Sequence, residues 1–167
     1  MSRHDQDLTR RQWLAAIART VGGGGALVAI TALRADASHA AKPSRLVVYK
    51  DPDCGCCKAW VTHLHANGLA PEAKDRTDMD ALKDSLGVPA ALRSCHTAVA
   101  GRYVIEGHVP AADIKRLLAT APRNIAGLAV PGMPAGSPGM EVPGRPADRY
   151  DVIAYAPSGA THVFAKH

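Results

Sequence analysis

The sequence predicts one α/β domain whose segments run β-α-β-α-β-β-α and continue into a Gly/Pro-rich loop and a C-terminal β-hairpin. Three observations support this. The chain has 167 residues, 47% apolar and 21% charged, which suits one domain with a core rather than two. Short β-branched runs alternate with segments whose apolar residues recur at helical spacing. Three of only four cysteines fall within residues 54–57, just after the first strand-like run. The apolar fraction disfavours disorder, the lack of a period disfavours collagen-like or repeat architecture, and no unbroken apolar run is long enough for a stable membrane span.

A leader precedes these elements. Thr9-Arg10-Arg11-Gln12-Trp13-Leu14 is a paired-arginine n-region with a bulky apolar residue two places after the pair. A weakly hydrophobic stretch runs from Val21 through Gly22 to Gly25 and on to Leu33, and Ser38-His39-Ala40 offers small residues for a signal peptidase. That order is expected of a cleavable signal over residues 1–40, and the paired arginines point to the twin-arginine route into the periplasm. The expected mature domain is 41–167. Removing the five arginines and three aspartates of residues 1–40 lowers the formal charge from +5 to +3. No Lys/Arg cluster interleaved with aromatics remains, so nucleic acid is not an expected partner.

The elements follow in order. Arg45 to Lys50 reads as a buried strand, broken by Asp51-Pro52-Asp53. Cys57, Trp60, Val61 and Leu64 are spaced i, i+3, i+4, i+7, which predicts a helix with Trp60 in its core face and a stop at Asn67-Gly68. A weaker strand lies within Leu69 to Arg76. Thr77 or Asp78 caps a helix through Leu86, closed by Gly87 and Pro89. His96 to Ala100 and Tyr103 to Glu106, joined by Gly101-Arg102, read as a tight hairpin. Pro110-Ala111-Ala112-Asp113 opens a third helix to about Thr120, with Ile114, Leu117 and Leu118 on one face. Gly127 to Pro146 is so punctuated by Gly and Pro that no regular element is expected there. Tyr150 to Ala156 and Thr161 to Ala165 form a last hairpin around Pro157-Ser158-Gly159.

This order is that of the thioredoxin-like fold, and Cys54-Gly55-Cys56-Cys57 stands where that fold carries its reactive C-x-x-C. Unpaired N–H groups and the positive end of the helix dipole favour a thiolate at Cys54, which makes it both a nucleophile and a soft metal ligand. Structural disulfides are the alternative in an exported domain. Adjacent Cys56 and Cys57 cannot bridge without strain, so at most Cys54 to Cys57 and one link to Cys95 is feasible. In the thioredoxin order the turn before the third strand abuts the C-x-x-C, and here it is Ser94-Cys95-His96-Thr97. Four sulfurs are therefore expected to converge, with the His96 imidazole beside them as a further candidate ligand. Clustered thiolates select soft ions, Cu(I) foremost, with Zn(II) as the alternative. Met133 and Met140, in a loop with no core to fill, are candidate thioether ligands. His63 and His65 are two apart on one helix and are expected to be solvated, while His108 is expected to position a turn.

Four motifs are similar in sequence and order to those of the CopG-type periplasmic copper-resistance family of metal-binding proteins. They are Tyr49 through Trp60, Cys95-His96-Thr97-Ala98-Val99, Tyr103 through Ala111, and Gly127 through Pro134 with Gly136 through Glu141. The resemblance spans essentially the whole mature chain. It implies a thioredoxin-like fold, copper ligation by Cys54, Cys56, Cys57 and Cys95, and a periplasmic role in which copper ions and other copper-handling proteins are the partners.

Two functions fit the residues. As a binding protein, the chain holds Cu(I) on its thiolates. As a thiol-disulfide or copper-linked oxidoreductase, Cys54 attacks a disulfide or passes electrons to copper, and Cys57 resolves. Cys56 would be a competing resolving thiol in such an enzyme, and it suits thiolate bridging between several metal ions better.

Overall fold

A computed structural model describes residues 45–167; the leader expected over residues 1–40 lies outside them. The described chain is a mixed α/β domain with one seven-stranded sheet and three α-helices. The strands are β1 (Leu46–Lys50), β2 (Pro71–Asp75), β3 (His96–Ala100), β4 (Tyr103–Gly107), β5 (Gly127–Val130), β6 (Asp151–Tyr155) and β7 (Thr161–Lys166). The helices are α1 (Gly55–Ala66), α2 (Met79–Ser85) and α3 (Ala111–Thr120), with one 3-10 turn at Ala90–Leu92. The segments expected through the third helix occur in the expected order. Among the described residues, no helix is long and apolar enough to cross a membrane.

The sheet order is β2-β1-β3-β4-β5-β6-β7. β1 pairs parallel with β2 and antiparallel with β3, β3 and β4 form the expected hairpin, and β4 pairs parallel with β5 across α3. β6 and β7 are antiparallel, as expected of the last hairpin. The weak strand signal of β2 has a physical origin: the strand is at the sheet edge, and only its first residue, Pro71, is buried. Proline is tolerated there because an edge strand has N–H groups to spare.

Strand alternation divides the interior in two. On one face, Trp60 and Leu64 of α1 and Ile114 and Leu117 of α3 pack with Leu46, Val48, Ala98, Ile105, Leu128 and Val152. On the other, Val88 and Leu92 pack with Val104, Ala129 and Tyr155.

One expectation is corrected. Gly127–Val130 is not irregular but forms β5, all four of its residues buried. A Cβ on Gly127 would stand 2.1 Å from the Val104 carbonyl oxygen and 2.6 Å from the Tyr155 hydroxyl. This glycine permits close backbone approach inside a sheet rather than breaking it. Residues 131–150 contain neither helix nor strand, yet they are held by their own hydrogen bonds. The Gly136 N–H donates to the Met140 carbonyl at 2.9 Å, that of Met140 to Ser137 at 2.7 Å, and that of Asp148 to Ala135 at 2.9 Å.

Candidate metal centre

The site begins where β1 stops. The Asp51 side chain accepts the Asp53 N–H at 2.8 Å, and the Asp51 carbonyl accepts the Cys54 N–H at 3.2 Å. This Asx-type turn delivers Cys54 to the N-cap of α1, where its Sγ accepts the Cys57 N–H at 3.3 Å. Gly55, Cys56 and Cys57 then occupy the first turn. Cys57 is fully buried, whereas Cys54 and Cys56 are half-buried. Cys54 and Cys57 are joined in a disulfide with a Cα–Cα distance of 5.3 Å. The sulfur expected as a thiolate at Cys54 is thus oxidised here, and Cys56 and Cys95 are the free thiols.

Cys95 arrives from the turn before β3. Its Sγ is 3.9 Å from that of Cys56, which is 3.5 Å from Cys54 Sγ. The sulfurs of Cys54, Cys56, Cys57 and Cys95 all lie within 4.8 Å of one another. A second group shares Cys95 and adds His96 and His108 within the same limit.

The two imidazoles are placed differently. The Nδ1–H of His108 donates to the Pro138 carbonyl at 2.8 Å. That bond fixes the proton on Nδ1 and leaves the Nε2 lone pair facing Cys95 Sγ at 3.1 Å. His96 Nδ1 is 3.2 Å from Cys95 Sγ, and its ring lies 4.3 Å from that of Trp60 and 4.8 Å from that of His108. Among the described residues, His96 Nε2 is buried with no hydrogen-bond partner. Trp60 is anchored from behind by its indole N–H, which donates to the Val109 carbonyl at 2.9 Å.

Burial pushes His96 well below the ordinary histidine range, and the neighbouring His108 and Lys83 push it further. Burial also lowers His108. Both rings are therefore neutral at neutral pH, the state in which imidazole ligates. Burial, with Cys56 alongside, raises the Cys95 thiol to about 12, so a cation binding there must displace its proton.

The loop before β6 closes over the site. Gly139 has φ +85°, and a Cβ on it would stand 2.7 Å from the Trp60 nitrogen and 2.9 Å from the Cys56 carbonyl oxygen. The loop backbone lies directly on the first turns of α1, an approach open only to glycine. Met140, the next residue, is half-buried, whereas Met133 is 42% exposed.

The remaining histidines separate. His65 is exposed, but His63 is half-buried, and its Nε2 accepts the Ala111 N–H at 3.2 Å, capping α3 instead of being solvated. His108 goes beyond the turn-positioning role expected of it, and its signal was available in the hairpin. The two-residue connection Gly101-Arg102 sets a register in which Thr97 faces Glu106. Two residues further, the same register sets 108 opposite 95.

The family described as "Protein of unknown function, DUF411" matches residues 92–140. No curated protein sequence matches. Two solved structures are similar. One, "Copper resistance protein copG- Form 1", is 46% identical with a TM-score of 0.70, over 75% of this chain and 98% of that one. The other, "Copper resistance protein copG- Form 2", is 46% identical with a TM-score of 0.71, over 75% of this chain and 99% of that one.

Proposed function

The chain belongs to the family of the copper resistance protein CopG, and from that premise we propose that it is a periplasmic copper-handling protein that holds Cu(I) on Cys54, Cys56, Cys57 and Cys95. The observation that carries this reading is the meeting of four sulfurs from two separate segments within 4.8 Å of one another. Thiolate is the soft donor that selects Cu(I), with Zn(II) the competing ion. Reduction of the Cys54–Cys57 disulfide frees two of the four ligands, so loading is coupled to the redox state of that pair. His96 and His108 supply neutral nitrogens at the Cys95 side, and Met140 and Met133 are the thioether candidates on the covering loop. The reading includes a thioredoxin-like domain over residues 41–167, supported by the strand order β2-β1-β3-β4 with α1 starting at the cysteines. It also includes a twin-arginine signal over residues 1–40.

A second reading is favoured by the disulfide itself. A reduced Cys54/Cys57 pair releases two electrons on closing, either to a partner disulfide by thiolate exchange or one each to two Cu(II) ions, giving two Cu(I) and two protons. The chain would then be a copper-linked or thiol-disulfide oxidoreductase.

The test is Cu(I) competition against bathocuproine disulfonate under anaerobic conditions. The reduced protein is expected to withhold more than one Cu(I), the disulfide form fewer, and the variant Cys54→Ser with Cys57→Ser almost none. Unchanged stoichiometry in that variant would exclude the site. Tight binding without turnover in thiol-disulfide or copper-reduction assays selects the binding reading, and turnover selects the second.

A further inference from the structure

Behind the cysteine-bearing turn, on the opposite sheet face from His96 and Trp60, lies a buried charge pair that the copper reading does not use. Glu106 on β4 has no exposed surface, and Lys83 on α2 has 3%. Glu106 Oε1 accepts from Lys83 Nζ at 2.5 Å and from the Ser94 backbone N–H at 2.6 Å. Its Oε2 accepts the Thr97 hydroxyl at 2.6 Å, and Thr97 in turn accepts from Lys83 at 2.8 Å. Two buried ions are costly to desolvate and add little net stability compared with an apolar pair of the same shape. Their geometry therefore asks for a role.

Ser94 and Thr97 bracket Cys95 and His96. One carboxylate thus grips the turn on both sides of the two donor residues, through the backbone before them and the side chain after them. Glu106 also stands two residues before His108 on the same strand end. A single buried anion ties together the segments that bring Cys95, His96 and His108 to one place.

We infer that Glu106, with Lys83 and Thr97, is the positioning residue of the Cys95 turn, fixing Cys95 Sγ against Cys56 and the two imidazoles. In its effect on copper, this rests on the function proposed above. The carboxylate accepts from three donors. Glu106→Gln keeps the volume but leaves the buried Lys83 ammonium without its anion, so the bonds the amide can still make to Ser94 and Thr97 no longer carry the charge that strengthens them.

The experiment is a double-mutant cycle with Glu106→Gln and Cys95→Ser, read by Cu(I) competition on the reduced protein. A device acting through Cys95 weakens Cu(I) binding by about tenfold or more in the parent. In the Cys95→Ser background the same change has almost no effect. Equal losses in both backgrounds, or no loss in the parent, would overturn the inference. Thermal unfolding of each reduced apo-protein shows whether Glu106→Gln still folds. If it does not, Thr97→Val releases one side of the grip and carries the same cycle, with a smaller loss that again must vanish in the Cys95→Ser background. Alkylation of the reduced apo-protein by iodoacetamide, counted by mass spectrometry, reads position without copper. Glu106→Gln is expected to raise the reaction rate of Cys95 relative to Cys56, and an unchanged ratio counts against positioning even if the parent binds no Cu(I).

Discussion

Two polar clusters in this domain are each built around a histidine, and they are finished to different degrees. At the end of β7, His167 Nε2 bonds Asp113 Oδ2 at 2.7 Å while Arg116 donates to Asp113 Oδ1 at 3.0 Å. Arg116 also donates to the Phe164 carbonyl at 3.0 Å and lies 3.9 Å over the Phe164 ring, and the His167 ring stacks on Tyr150. Its charged groups are paired with one another. Where the start of β3 meets the start of α1, the Cys95 and Cys56 thiols are free, His96 Nε2 has no partner among the described residues, and Cys95 Sγ stands within 3.2 Å of two ring nitrogens. Buried polar atoms in native proteins are paired with few exceptions, and each exception asks for an explanation. Among the described residues the Ser94 and Tyr155 hydroxyls are unpartnered as well, but only His96 belongs to a group of metal-ligating side chains. The first cluster closes the fold. The second leaves donor atoms uncommitted, as the proposed copper site requires.

The sharpest way to break this contrast is to truncate one member of each cluster. His108→Ala is expected to weaken Cu(I) binding by about 10- to 100-fold, the usual loss for a residue in or just behind a metal's donor set. Asp113→Ala is expected to cost about 1.5–3 kcal/mol of stability, the range for charge-assisted hydrogen bonds, and to leave Cu(I) affinity unchanged. Competition with bathocuproine disulfonate and denaturant unfolding measure the two. If Asp113→Ala depressed copper affinity as much as His108→Ala, the clusters would not be functionally distinct.

Acid separates them next. His96 has a pKa lowered by burial, so the unfolded chain binds its proton at a higher pH than the native state does. Stability from this group is fully present above the unfolded value near 6.5 and is lost as pH falls below it. In the reduced apo-protein the expected slope is up to about 1.4 kcal/mol per pH unit for this one ring, with less stability at pH 5.5 than at 7. His96→Gln should make the curve between those values less steep, with His108 and His63, whose pKa values burial also lowers, supplying the slope that remains. An equally steep curve in that variant would show that the acid sensitivity lies elsewhere.

Much of this was legible in the sequence, for identifiable reasons. The i, i+3, i+4, i+7 spacing from Cys57 gave α1 and its core tryptophan, and Gly101-Arg102 between two β-branched runs gave the β3–β4 hairpin. Locating the first three cysteines at the start of α1 followed from those elements, and bringing Cys95 to them followed from strand order. What escaped was tertiary. Gly127 looks like a loop residue until the Val104 carbonyl and the Tyr155 hydroxyl are seen to occupy the space a side chain would need. Glu106 looks like an exposed strand residue until Lys83, from another element, neutralises it. The Cys54–Cys57 disulfide is a redox state, and spacing establishes only that it can form.

His63 gives the smallest and most discriminating prediction, because it shares α1 with Cys56 and Cys57 yet spends its nitrogen elsewhere. Pro110 precedes α3 and offers no side-chain cap, and His63 Nε2 is the acceptor that takes the Ala111 N–H in its place. Losing a cap costs about 1 kcal/mol, and half-burial reduces rather than raises that figure, since water can replace the acceptor. His63→Ala is therefore expected to cost about 0.5–1 kcal/mol, to speed hydrogen exchange at Ala111, and to leave Cu(I) affinity untouched. Burial lowers the His63 pKa, and protonation would remove the lone pair that caps the helix. A weakened copper complex in His63→Ala would extend the ligand-presenting cluster along α1. Intact copper binding with faster exchange at Ala111 would fix the boundary between the two kinds of histidine within a single helix.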